Sequence, residues 1–201
     1  GGAERFYAGL EKALRDKGFV VDLVTLPFDE SSFEKIQETY QAFANLDLHG
    51  YDLVISTKVP SYMVQHPNHL LYLVHTVRVF YDMYDELLQQ SPVGLVEKRD
   101  WIRRTDTKAF LGIRRRFAIG VEVADRLKRW NGCTAEVLHP PIDVAGLHNQ
   151  GLGDYFFLPG RLHRWKRVSL AIEAVRESPL PMRLLIAGTG AEEQALRALA
   201  Q

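Results

Sequence analysis

The sequence predicts an α/β protein of two domains, each with a parallel sheet covered by helices. Short apolar segments alternate with segments of helical hydrophobic period along most of the 201 residues. A segment rich in proline and glycine, residues 139–153, interrupts this alternation, which then resumes. We therefore place one domain at residues 1–150 and a second at residues 151–201. The sheet of the second domain is incomplete, because only two strands are predicted in it.

The predicted helices follow from hydrophobic spacing and from residues that end a helix. Apolar residues at positions i, i+4, i+7 and i+8 predict a helix over residues 3–17, which ends at Gly18 because glycine readily adopts the left-handed conformation. A second helix is predicted at residues 31–43, whose first two serines are candidate caps. A mixed, charged region between residues 81 and 115 and the segment 122–130 are also predicted to be helical.

The predicted strands are short segments rich in valine, leucine and isoleucine, as expected for a sheet buried on both faces. In the first domain they are residues 19–26, 51–56, 70–74, 117–119 and 135–138. In the second domain, strands 155–158 and 182–187 alternate with helices marked by residues 168–175 and 191–200. Helical pattern reaches both ends of the sequence, so we expect the chain to be a segment of a longer protein.

The composition excludes several classes of protein. Hydrophobic residues make up 46% of the chain and charged residues 25%, which is typical of a globular protein. The 25 basic and 25 acidic residues balance, so no overall charge favours nucleic acid as a partner. No apolar run is long enough to span a bilayer. The single cysteine, Cys133, excludes an intrachain disulfide and fits a reducing compartment, so we expect a cytoplasmic protein.

Two segments of the first domain are candidate ligand-binding segments, because ligands of open parallel sheets bind beyond the carboxyl ends of the strands. Gly1 and Gly2 precede the first helix and form either a loop that approaches a phosphate or a flexible helix cap. His75 follows a predicted strand directly and is either a structural histidine or a group that reaches a ligand. A zinc site of His66, His69 and His75 is rejected, because no cysteine or carboxylate cluster of zinc spacing accompanies them.

The most informative segment lies between strand 155–158 and the helix after it. Four cations and Gly160 occur there, and the cations are Arg161, Arg164, Lys166 and Arg167. Cations at a strand-to-helix turn favour a diphosphate site, with a solvated loop as the alternative. Gly188 and Gly190 follow the next strand but lack the third glycine of a dinucleotide fingerprint. The motifs of serine hydrolases, P-loop NTPases and zinc proteases do not occur in the sequence.

Taken together, these segments resemble the retaining GT-B glycosyltransferases of family 4, also called glycosyl transferases group 1. Gly1–Arg5 is similar to the family's opening loop and first helix, and Leu138–Asp143 to its signature at the domain junction. Gly160–Ala174 is similar to the family's donor-site loop and helix, and Leu185–Gly190 to the next strand and turn. The resemblance covers nearly the whole chain and implies two Rossmann-like domains.

The resemblance implies transfer of a sugar from a nucleotide-diphosphate-sugar donor to a glycan or lipid-linked acceptor, with retention of the anomeric configuration. It implies that Arg161 and Lys166 neutralise the departing diphosphate and that His75 lies near the donor sugar. The implied donor-binding set also contains Gly1, Gly2, Gly160, Gly188 and Gly190. In this family neither a metal ion nor a cofactor is required.

The sequence departs from the family pattern at three places. The family's first strand would precede Gly1, and its Glu-x7-Glu motif would follow Gln201. Ile119-Gly120 also replaces the usual Asn-Ser pair before a helix. Eleven basic residues between Lys98 and Arg129 form either a solvated surface or, as in the family, a surface for an anionic membrane or phosphorylated lipid acceptor. Peripheral contact with the inner face of a membrane is therefore a further expectation.

Other functions remain open from the sequence alone. A non-catalytic nucleotide or sugar-phosphate binding module, or a degenerate GT-B homologue, would share most of these motifs. A sugar-nucleotide epimerase of GT-B architecture would lack the pairing of Arg161 with Lys166. An NAD-dependent oxidoreductase would need a complete glycine fingerprint, which the sequence does not contain.

Overall fold

The computed structural model describes residues 2–85, 94–141, 144 and 146–201. The chain divides into two compact units, Gly1–Asp143 and Val144–Gln201. The division falls within residues 139–153, the segment that the sequence analysis interprets as a linker. Each unit combines helices with parallel strands, which confirms the predicted α/β class.

Among its described residues, the first unit contains a sheet of four parallel strands. These are β1 (Val54–Ser56), β2 (His69–Leu73), β3 (Arg115–Ala118) and β4 (Glu136–Val137). They lie in the order β1-β2-β3-β4, with Ile55 beside Leu70 and Leu73 beside Ala118. Because the strands are parallel, the loops that follow them emerge at one edge of the sheet.

Helices pack against both faces of this sheet. They are α1 (Gly2–Arg15), α2 (Phe33–Ala44), α3 (Leu95–Gly112) and α4 (Val121–Asn131), with 3₁₀ turns at Ser61–Met63 and Arg78–Phe80. Leu71 and Leu73 of β2 face a core shared with α2, α3 and α4. The alternate residue, Tyr72, contacts Phe6 of α1 with ring centroids 5.1 Å apart. Successive strand residues point to opposite faces, so α1 covers the face opposite to that core.

The ends of these helices follow local sequence. The Ser32 hydroxyl accepts a hydrogen bond of 3.2 Å from the backbone N–H of Lys35 and caps α2, as its position predicts. Gly132 ends α4 in the left-handed conformation, with φ of 67°. No helix in the described ranges is both long and apolar enough to cross a membrane.

The prediction of a strand at residues 19–26 is wrong. The segment has no regular structure, and the Val20 side chain is 97% exposed. An apolar segment forms a strand only where a neighbouring strand supplies hydrogen bonds. Among the described residues, β1 pairs only with β2, and no strand pairs with 19–26. The predicted strand 51–56 is likewise reduced to the three residues of β1.

In its described part, the second unit has two parallel strands, β5 (Phe156–Pro159) and β6 (Leu184–Ala187). Helices α5 (Val168–Glu177) and α6 (Glu193–Leu199) follow them, and Arg164–Lys166 forms a 3₁₀ turn. Leu158 and Ile186 pack against a buried cluster that includes Ile172 and Leu196. Phe157 and Leu185 are neighbours on the other face and are exposed within this unit.

Candidate functional site

In the second unit, the loops after β5 and β6 are bonded to each other. The backbone N–H of Gly160 donates to the carbonyl of Ala187 at 2.8 Å, which continues the sheet ladder beyond its end. The N–H of Leu162 donates to the carbonyl of Thr189 at 2.9 Å. These bonds hold the cationic loop after β5 at the carboxyl edge of the sheet, where ligands of parallel sheets bind.

Two predicted donor-site glycines have a structural reason to be glycine. A Cβ added at Gly188 would overlap the carbonyl oxygen of Gly160, and one at Gly190 would overlap that of Leu162. Gly188 also has a φ of 149°, which side chains disfavour. A Cβ at Gly160 itself would meet no atom within 4 Å. The close approach of the two loops therefore requires Gly188 and Gly190, whatever ligand they also contact.

The four cations of this loop are exposed, and none forms a salt bridge with a residue in the described ranges. Arg164 lies over the ring of Trp165, with its guanidinium carbon 4.0 Å from the ring centroid. Arg167 occupies the residue before α5 in the left-handed conformation, with φ of 49°. Positive charge therefore accumulates beside the first turn of α5, whose free N–H groups add to the attraction for an anion.

The structure groups only some of these cations around a cleft. Its polar lining consists of His163, Arg164, Arg167, Ser169 and Glu192. Arg161 and Lys166, the two residues predicted to bind the diphosphate, lie on the same loop but do not line this cleft. Their side chains face solvent in this unit and remain accessible to a ligand.

In the first unit, His75 lies at the predicted edge of the sheet, two residues beyond the carboxyl end of β2. Its side chain is exposed, and Nδ1 is 3.0 Å from the carbonyl oxygen of Thr76. A carbonyl only accepts, so Nδ1 is the donor in this contact, and in the neutral ring Nε2 is then an acceptor. His75 is thus available to a ligand at this edge.

Beside His75 a small cleft contains two arginines that share one carboxylate. Arg78 and Arg126 approach the same oxygen of Asp82, Oδ2, at 2.8 and 3.1 Å. Burial raises the pKa of Asp82, but the hydrogen bond from Arg78 and the charge of Arg126 outweigh it and hold the pKa below its usual value. Asp82 is therefore ionised at neutral pH and neutralises part of the positive charge in this cleft.

The other segments that the sequence predicts to bind a ligand are Gly1 and Gly2, the domain junction and the basic region. Gly1, Ile142 and Asp143 lie outside the described residues. Gly2 is the first residue of α1, and a Cβ there would meet nothing within 4 Å, so packing does not require glycine at this position. Within the basic region 98–129, Arg116 is used internally: it donates to the carbonyl oxygens of Phe110, Ile113 and Thr134.

The sequence analysis did not single out Lys58, although the structure places it beside His75. Lys58 lies two residues beyond the end of β1, and a cation just after a predicted strand is the sequence signal that points to it. The loop from 58 to 69 contains no recognisable motif, so the sequence alone does not distinguish this cation from an ordinary surface residue.

Comparisons with known proteins assign no family: no protein-family model matches the chain, and no curated protein is significantly similar to it. In the described ranges, no group of three or more histidine, cysteine, aspartate and glutamate side chains is arranged to hold a metal ion.

Proposed function

We propose that this chain is part of a retaining GT-B glycosyltransferase of family 4. Its reaction transfers a sugar from a nucleotide-diphosphate-sugar donor to a glycan or lipid-linked acceptor. The observation that carries the proposal is the loop after β5, where four exposed cations stand beside the start of α5 without a salt bridge to any described residue. Such a concentration of positive charge exceeds the single carboxylate that lines the cleft, Glu192, and suits a diphosphate.

The chemistry of the reaction explains why these cations matter. When the bond between the sugar and the diphosphate breaks, negative charge develops on the departing phosphate oxygen. Cations held in place before the reaction stabilise that charge and lower the barrier. In the proposal, Arg161 and Lys166 supply this stabilisation, and the hydrogen bonds to the loop after β6 keep their backbone in position.

His75 supports the proposal from the first unit. Its free Nε2 can accept a hydrogen bond from a hydroxyl group of the donor sugar, as the family resemblance implies. Its position at the carboxyl edge of β2 is the one from which side chains of parallel sheets reach their ligands. A histidine buried for structural reasons would not present an exposed ring there.

The first experiment measures binding of nucleoside diphosphates to the full chain. Trp165 is 43% exposed within the cationic loop, so a change in tryptophan fluorescence that is absent from Trp165→Phe reports UDP, GDP or ADP bound there. We expect one of the three to bind, and Arg161→Ala and Lys166→Ala each to weaken that binding about tenfold. Arg176→Ala is the matched control, because this arginine of α5 is exposed and forms no salt bridge with a described residue.

A second measurement separates an enzyme from a binding module. The nucleoside diphosphate released from the matching nucleotide sugar is followed with time. Release that depends on Arg161, Lys166 and His75 supports the glycosyltransferase. Nucleotide binding without any release of nucleoside diphosphate favours a non-catalytic module. Nucleotide binding that is unchanged in both Arg161→Ala and Lys166→Ala contradicts the assignment of the donor site.

A further inference from the structure

The cleft of the second unit is lined by charges of opposite sign that do not pair with each other. Arg164, Arg167 and Glu192 all line it, and none of them forms a salt bridge within 4 Å with a residue of the described ranges. The adjacent carboxylate, Glu193, is paired with Arg197 at 2.9 Å. The charges that line the cleft are therefore available to a ligand that carries both signs.

Hydrogen bonding and packing fix the two sides of this cleft relative to each other. The backbone N–H of Glu192 donates to the carbonyl of Leu162 at 3.1 Å, which joins the residue before α6 to the cationic loop. Val168 of α5 and Leu196 of α6 also line the cleft, and both are buried in one apolar cluster. The backbone separation between the arginines and the carboxylate is thus set by the fold before any ligand binds.

Two neutral side chains add hydrogen-bond donors to the cleft. Nδ1 of His163 accepts from the backbone N–H of Trp165 at 3.4 Å, so in the neutral ring Nε2 carries the proton and donates. The hydroxyl of Ser169 forms no hydrogen bond with a described residue and is a further donor. With two guanidinium groups, these donors exceed what the two oxygens of a carboxylate accept, and they suit the three terminal oxygens of a phosphate monoester.

We propose that this cleft binds a small zwitterion in which a phosphate monoester and an ammonium group lie close together. The phosphate charge of about −1.5 to −2 matches Arg164 and Arg167, and the ammonium group matches Glu192. The cleft encloses about 110 Å³, several times the space that one water molecule needs. The inference goes beyond the proposed function, whose donor site uses Arg161 and Lys166, because neither of these lines the cleft.

Phosphoethanolamine and ethyl phosphate are the probes of the test, because they differ only in the ammonium group. NMR chemical shifts of the Arg164, Ser169 and Glu192 amides in the full chain report the binding of each probe. We expect phosphoethanolamine to bind about tenfold more tightly than ethyl phosphate. Glu192→Gln, which keeps the size of the side chain and removes its charge, should abolish this preference. Arg164→Gln should weaken the binding of both probes about tenfold.

Arg176→Gln is the matched control. It removes the same charge from an exposed position near the other end of α5 and should leave the binding of both probes unchanged. Equal binding of the two probes by the natural chain would overturn the inference, and so would the absence of binding. A preference for phosphoethanolamine that survives Glu192→Gln would also contradict it.

The donor-site cations separate this inference from the proposed function. Arg161→Ala and Lys166→Ala should weaken the binding of nucleoside diphosphates and leave phosphoethanolamine bound. If either variant loses as much phosphoethanolamine binding as Arg164→Gln, the cleft is part of the donor site and the inference is wrong. If nucleoside diphosphates bind both variants as tightly as the natural chain, the proposed function fails, and the two probes still decide the inference. Thermal unfolding of each variant shows that the substitutions leave the fold intact.

Discussion

Tyr62 donates a hydrogen bond of 2.8 Å to Oδ1 of Asp106, and both side chains are buried in the first unit. Tyr40 donates to the same oxygen at 2.9 Å, and Tyr81 donates to Oδ2 at 2.7 Å. The tyrosines belong to separate segments, so one carboxylate connects α2, the two 3₁₀-turn segments and α3. No lysine or arginine of the described part forms a salt bridge with it.

Burial dominates the ionisation of this carboxyl group. Removal from water raises the pKa of Asp106 to about 6, although the hydrogen bonds from Tyr81, Tyr62 and Tyr40 favour the ionised form. The carboxylate is therefore ionised at neutral pH and protonated in mildly acidic solution. Arg103, one turn earlier on α3, does not compensate its charge, because its guanidinium lies 4.1 Å from the Trp130 ring centroid and donates to the carbonyl of Phe80.

The first prediction concerns the pH dependence of stability through Asp106. Its pKa is higher in the folded chain than in the unfolded chain, so the folded state binds more protons between about pH 4 and 6. The contribution of Asp106 is fully present below its unfolded pKa and is lost as the pH rises through about 6. A rise in pKa from 3.8 to about 6 corresponds to roughly 3 kcal/mol.

The variant Asp106→Asn measures this effect, because asparagine is nearly isosteric and does not titrate. Urea unfolding at pH 4 and pH 7 gives the stability of each protein. We expect the unfolding free energy of the variant, minus that of the natural chain, to be larger at pH 7 than at pH 4. An equal difference at the two pH values would contradict the assignment.

The second prediction concerns His69, whose effect on the pH dependence of stability is opposite to that of Asp106. Burial, followed by the charge of His66, lowers the pKa of His69 to about 4, and its Nε2 lies 2.7 Å from the hydroxyl of Ser56. Between about pH 4 and 6.5 the unfolded chain binds the extra proton, so the contribution of His69 is lost as the pH falls. His69→Gln should lessen the loss of stability on acidification. A steeper acid loss in the variant would refute this account.

The third prediction tests the hydrogen bonds to Asp106. Tyr62→Phe removes one buried donor to an ionised group and should cost about 2 kcal/mol of unfolding free energy at pH 7. Tyr155→Phe provides the control, because this tyrosine is 46% exposed and its hydroxyl should change stability little. At pH 4, where Asp106 is protonated, the cost of Tyr62→Phe should be smaller. If Tyr62→Phe costs the same unfolding free energy at both pH values, the Tyr62 hydroxyl stabilises the fold through packing and not through the charge of Asp106.

The sequence best predicts those features of the fold that depend on residues close together in the chain. The cap at Ser32 depends only on neighbouring residues, and a serine at the start of the predicted helix is sufficient to predict it. The strand at 19–26 failed because strand formation depends on a distant partner. Asp106 offered no signal, because Tyr40, which donates to it, is 66 residues away in the chain. Its basic neighbours in sequence made the segment resemble a solvated surface.

The fourth prediction concerns the contact that fixes the cationic loop in the second unit. Gly188→Ala places a methyl group against the carbonyl oxygen of Gly160 at a φ of 149°, so the two loops must separate or distort. We expect a loss of about 2–3 kcal/mol in the unfolding free energy of the second unit, measured by hydrogen exchange of its backbone amides. Gly160→Ala is the matched control on the facing loop, because its methyl group meets no atom within 4 Å. If both variants unfold alike, the close approach of these loops does not stabilise the unit, and the positioning of Arg161 and Lys166 loses its structural basis.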